Sequence, residues 1–110
     1  MESTEEEVTA IHSRKANRAS LERLRDEIDA LDRRLFTVIA ERMALVTDIG
    51  GLKRKLGLPT SDPVREAQLK ARLKERTAGV LEPRHIEELS TAILRVSRDL
   101  QGGAETVTRD

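Results

Sequence analysis

An all-α fold, with one very long N-terminal helix and two shorter ones, is predicted by three features of the sequence. Apolar residues recur with heptad spacing from Leu21 to Leu56, helix start and stop residues bracket two further segments, and no alternating run qualifies as a strand. The stripe runs through Leu21, Leu24, Ile28, Leu31, Leu35 and Val38, then Arg42, then Leu45, Ile49, Leu52 and Leu56. Its alternating steps of three and four persist for about five heptads, the strongest helix signal that a single sequence offers. Ser20 is the expected N-cap, and Gly57 followed by Pro59 the expected stop. At about 1.5 Å per residue such a helix is roughly 55 Å long, more than a chain of this size spans as a globule.

The second helix is expected to open at Asp62 as N-cap with Pro63 in the first helical position, and to run to about Thr77 before Gly79. Pro83 opens the third, in which Ile86, Leu89, Ile93, Val96, Ser97 and Leu100 keep the core period until Gly102 and Gly103. Residues 1–20 are polar and acidic at their start, and residues 102–110 are polar as well. Neither carries a periodic apolar pattern, so both are expected to be disordered around a helical domain at 21–101. No internal repeat is present.

Composition narrows the function. The 110 residues carry 20 Lys+Arg against 20 Asp+Glu, a net charge of zero, which argues against a generic polyanion or nucleic-acid binder. The absence of cysteine excludes disulfides, thiolate metal sites and cysteine nucleophiles. With one Phe and neither Trp nor Tyr, the core must come from Leu, Ile and Val. So little apolar bulk makes a partner chain the expected source of further buried area. No secretory signal pattern opens the chain and no apolar stretch approaches the roughly 20 residues of a membrane span, so a cytoplasmic protein without membrane contact is expected.

Arg42 breaks the apolar stripe. A guanidinium in a helical seam needs either a pairing partner, such as a neighbouring Glu, or a ligand, because burying an unpaired charge costs several kcal/mol. Lys53 follows eleven residues later, about 20° round the helix and roughly 16 Å along it, so the two cations flank one ligand-sized space. Between them, Gly50 and Gly51 are either tolerated weak points, each costing up to about 1 kcal/mol against alanine, or sites of close approach by a helix or ligand.

Together these segments resemble the all-helical class of chorismate mutase. Leu24 to Asp32 is similar to that family's opening motif, Ala40-Glu41-Arg42 to its mid-helix arginine motif, and Ile49 to Lys53 to its glycine followed by a catalytic lysine. Asp62-Pro63-Val64-Arg65-Glu66 resembles its helix-two signature, and Ser97 with Gln101 falls where its third helix carries a polar pair. The resemblance implies an intertwined homodimer with two shared sites that convert chorismate to prephenate without cofactor or metal, on the route to phenylalanine and tyrosine. It implies that Arg42 holds one substrate carboxylate and Arg25 of the partner subunit the other. Lys53 and Gln101 would donate to the ether oxygen of the breaking bond, and Glu66 with the backbone around Asp62 would meet the ring hydroxyl. Arg65 and Ser97 would complete the polar wall. Arg25 and Arg42 are about 25 Å apart along one helix and about 100° apart in azimuth, which is an independent reason for Arg25 to act across the dimer.

The chemistry suits the residue types. A concerted [3,3] rearrangement needs neither nucleophile nor proton transfer, and an acceleration of about 10⁶ corresponds to about 8 kcal/mol, within reach of positioning and preorganised charge. Some family members carry Glu at the position of Gln101, and that Glu must be protonated to donate; Gln donates at any pH. Plain structural roles are also open: Asp62 as a cap, Glu66 pairing with Lys70, Arg65 pairing with Asp62, and residues 53–55 as a solvated basic face. Alternative activities on the same scaffold are isochorismate-pyruvate lyase and 4-amino-4-deoxychorismate mutase. A remoter alternative is a helical dimerisation or nucleic-acid-binding module. A regulatory or former fusion domain is a third, although nothing in the chain resembles a second catalytic domain.

Overall fold

The computed structural model describes residues 4–107, with side chains through residue 102. Three helices, α1 (Glu5–Leu56), α2 (Pro63–Arg76) and α3 (Pro83–Val107), account for its regular structure, and no strand occurs among the described residues. None of these helices is long and apolar enough to cross a membrane.

Both ends depart from the sequence reading. Ser20 does not cap α1, which starts fifteen residues earlier at Glu5. Thr4 provides the local reason: its Oγ1 accepts from the Glu7 backbone N–H at 3.1 Å and its carbonyl from Val8 N–H at 3.0 Å. Glu5, Glu6 and Glu7 then place negative charge at the positive end of the helix, and neither Pro nor Gly interrupts the chain before Gly50. At the other end, α3 does not stop at Gly102 and Gly103 but runs to Val107. Gly102 stays out of the left-handed region that ends a helix, so the pair weakens α3 without terminating it. Of the two segments expected to be disordered, residues 5–20 and 102–107 are therefore helical, and residues 1–3 and 108–110 lie outside the described residues.

The internal boundaries follow the capping chemistry. Gly57 has φ +69°, Leu58 N–H donates to the Lys53 carbonyl at 2.8 Å and Gly57 N–H to that of Arg54 at 3.2 Å, the paired bonds of a glycine-terminated helix. The Asp62 side chain accepts from Arg65 N–H at 3.1 Å and caps α2. At the start of α3, His85 Nδ1 accepts from Glu82 N–H at 3.1 Å, while His85 N–H donates to the Glu82 carbonyl at 2.9 Å.

The chain divides into two units, Met1–Ile39 and Ala40–Asp110. In the first, the described residues form one stretch of helix whose apolar stripe from Leu21 to Val38 is about half exposed. In the second, α2 packs on α3, and the last turns of α1 meet α3 through Arg42 with Ser97, Lys53 with Gln101 and Gly50 against the Gln101 backbone. Few of its described residues are buried: Val46 and Ile86, Gly50, and the small polar Ser90 and Ser97. Both hydroxyls are satisfied along α3, Ser90 donating to the Glu87 carbonyl and Ser97 to that of Ile93.

The two adjacent glycines of α1 turn out to differ. A Cβ on Gly50 would stand 2.7 Å from both the Cα and the carbonyl oxygen of Gln101, whereas one on Gly51 would meet nothing closer than the Arg54 guanidinium at 3.8 Å. Gly50 is therefore a close-approach position against the backbone of α3, and Gly51 is not. Gly50→Ala should lower the unfolding free energy by about 1–3 kcal/mol through overpacking, whereas Gly51→Ala should raise it by up to about 1 kcal/mol through helix propensity. Urea unfolding of the two variants checks this; shifts of the same sign would contradict it.

Candidate active site

A cavity of about 240 Å³ opens within the second unit. The last four turns of α1 supply Arg42 and Lys53 to it, with Val46 and Ile49 as apolar wall. The approach to α2 supplies Thr60 and Asp62, α2 itself Arg65, Glu66, Leu69 and Arg72, and α3 supplies Leu94, Ser97, Arg98 and Gln101. Seven of the eight site residues expected from the sequence are thus brought together. Arg25 lines no part of this cavity; it is an exposed residue of the first unit.

Arg42 is half-buried and has no carboxylate within ion-pair distance among the described residues. Its Nη1 donates to Ser97 Oγ at 2.8 Å and approaches Met43 Sδ at 3.9 Å. Since a guanidinium carries five N–H donors, most of Arg42's remain available in the cavity. The pairing with a neighbouring Glu that the sequence left open is absent.

Lys53 and Gln101 form a coupled pair. Lys53 Nζ donates to Gln101 Oε1 at 3.1 Å and to the Thr60 carbonyl at 3.0 Å. An ammonium has three donors and no acceptor, so the Gln101 atom facing it is the carbonyl oxygen. Among the described residues, one Lys53 N–H and both N–H groups of the Gln101 amide have no partner and are left for a ligand. Gln101 is further fixed through its backbone, whose carbonyl accepts from Arg54 Nη1 at 2.6 Å. The basic run at 53–55 is therefore not simply a solvated face.

The acidic residues are engaged elsewhere. Asp62 caps α2, as the plain reading had it. Glu66 does not pair with Lys70: Arg98 Nη2 approaches Glu66 Oε1 at 2.6 Å, and Lys70 pairs with Glu87. The Arg65 side chain reaches Gln68 Oε1 at 3.4 Å and leaves Asp62 to the backbone. Five cationic side chains thus line the cavity against two carboxylates. Such an excess in a partly enclosed space favours a compact ligand with more than one negative charge.

Sequence reasoning missed Arg72 and Arg98. Each carried a signal in its spacing: Arg65, Leu69 and Arg72 share one face of α2, while Leu94, Ser97, Arg98 and Gln101 follow an i, i+3, i+4, i+7 pattern on α3.

A family model for chorismate mutase type II matches residues 24–102. The T-protein of Enterobacter agglomerans is 40% identical over 80 residues, which cover 72% of this chain and 21% of that protein. The T-protein of Haemophilus influenzae is 37% identical over 94 residues, 83% of this chain and 25% of that protein. A chorismate mutase of Methanocaldococcus jannaschii is 36% identical over 55 residues, covering 50% of this chain and 56% of the relative. The chain therefore spans a quarter or less of either T-protein. With the family match running over most of the sequence and enclosing every residue of the cavity together with Arg25, the chain belongs to the chorismate mutase type II family.

Proposed function

We propose that this protein is a chorismate mutase, an isomerase that converts chorismate to prephenate in the cytoplasm for aromatic amino acid biosynthesis, with no cofactor. The observation that carries the reading is the Lys53–Gln101 pair: it keeps three N–H donors without partners among the described residues, and both side chains line, together with Arg42, a cationic cavity of about 240 Å³. A [3,3] rearrangement breaks the ether C–O bond as the new C–C bond forms, and negative charge builds on the ether oxygen. Donors fixed in advance around that oxygen stabilise the transition state more than the substrate. Arg42 holds one carboxylate through its planar fork, and Arg65 and Ser97 extend the polar wall. Glu66 accepts from the ring hydroxyl next to the α2 N-terminus at Asp62.

The second carboxylate is held by Arg25 of the partner subunit in a homodimer. Two features support this. Arg25 stands seventeen residues before Arg42 on α1, too far for one compact ligand. The apolar stripe of α1 from Leu21 to Leu56 also remains between 44% (Ile49) and 71% (Leu56) exposed in one chain, the surface of a helix whose seam lacks its partner.

Incubating the purified protein with chorismate, isochorismate and 4-amino-4-deoxychorismate tests the proposal. Prephenate should form from chorismate, with a catalytic efficiency nearly constant from pH 5 to 8 because Gln101 has no proton to lose. Pyruvate release from isochorismate without prephenate from chorismate would overturn the activity. A steep decline toward pH 8 would overturn the role of Gln101.

A further inference from the structure

Resting on the chorismate mutase reading, a further assignment follows from the environment of Glu66. Arg98 of α3 places Nε at 3.1 Å and Nη2 at 2.6 Å from the same oxygen, Glu66 Oε1. The other oxygen, Oε2, accepts no hydrogen bond from a described residue. Lys70, one helical turn from Glu66, is held by Glu87, so Arg98 is the one cation paired with Glu66 among the described residues. Arg98 also lines the cavity, so a group bound at Glu66 meets an ion pair in place of a bare carboxylate.

We propose that Arg98 is a positioning and specificity-determining residue, which fixes the Glu66 carboxylate and biases the site toward a ring hydroxyl over a ring ammonium. A hydroxyl needs only an oriented acceptor, and Oε2 supplies one. An aliphatic amine is a cation at neutral pH. It would gain most from an unpaired carboxylate, and here it meets a carboxylate already neutralised, with a guanidinium beside it. The same pair therefore separates chorismate from its 4-amino analogue, two ligands that Arg42 and Lys53 treat alike.

The test measures KM for chorismate and the competitive Ki of 4-amino-4-deoxychorismate on wild type, Arg98→Lys, Arg98→Met and Arg98→Gln. In the two neutral variants Ki should fall relative to KM by about fivefold, the size of one partly exposed charge interaction, and in Arg98→Lys the ratio should stay near wild type. A purely structural role would weaken both ligands together, so an unchanged ratio in a folded neutral variant overturns the assignment; either neutral variant suffices. A wild type that turns over chorismate while the ratio does not move sinks this inference alone. A wild type inactive on chorismate sinks the functional reading with it.

Discussion

Lys53→Met should reduce kcat/KM for chorismate by about 10³-fold or more, because on the proposed mechanism it removes one preorganised donor from the ether oxygen and loosens the second, Gln101, to which Lys53 is bonded. The loss should fall mainly on kcat, since the charge that Lys53 stabilises exists only near the transition state. Arg42→Met should produce a loss of similar size, but with a marked rise in KM, because the carboxylate proposed to bind it carries its charge in the ground state as well. Steady-state kinetics on both variants, with helical content checked by circular dichroism, reads this contrast. Folding should survive in both: Lys53, Arg42 and Thr60 are only half-buried, and the buried Ser97 hydroxyl keeps its bond to the Ile93 carbonyl when Arg42 is lost. A KM effect for Lys53 and none for Arg42 would reverse the roles given to them.

Mixing Arg25→Ala with Arg42→Ala should restore activity that neither variant has alone. If each site takes Arg42 from one chain and Arg25 from the other, a mixed dimer concentrates both substitutions in one site and leaves the second intact. Random reassortment of equal amounts makes half of the dimers mixed, so activity should return to about one quarter of wild type. Chain exchange can be followed independently with differently labelled chains. Exchange without recovery would show that Arg25 serves the site of its own chain or none. The exposed seam bears on the same experiment: the proposed dimer, joined along the apolar residues exposed from Leu21 to Leu56, would share a large apolar surface, so exchange should require mild denaturant or warming.

The helix pattern was legible because period and punctuation are local properties. Heptad steps mark α1, Asp62-Pro63 marks the start of α2, and Gly57 adopts the positive φ that its place after Leu56 requires. The outer ends of α1 and α3 were not legible, since residues 5–20 and 102–107 lack apolar periodicity and are helical through capping by Thr4, propensity and continuity with the helices they extend. In the site, spacing and family resemblance singled out Arg42, Lys53, Glu66 and Gln101, but left the plain pairings of Glu66 and Arg65 open.

By itself, then, the sequence determined which residues are helical through most of the chain, where α2 begins, and which polar residues stand out against their helices, because each depends on neighbours within a turn or two. Tertiary structure decided the partnerships. It gave Glu66 to Arg98 instead of Lys70, brought Lys53 to Gln101, and made Gly50, but not Gly51, indispensable to the approach of α3. These contacts join residues 32 to 51 positions apart, so only the packing of α1, α2 and α3 fixes which donors remain unpartnered in the cavity.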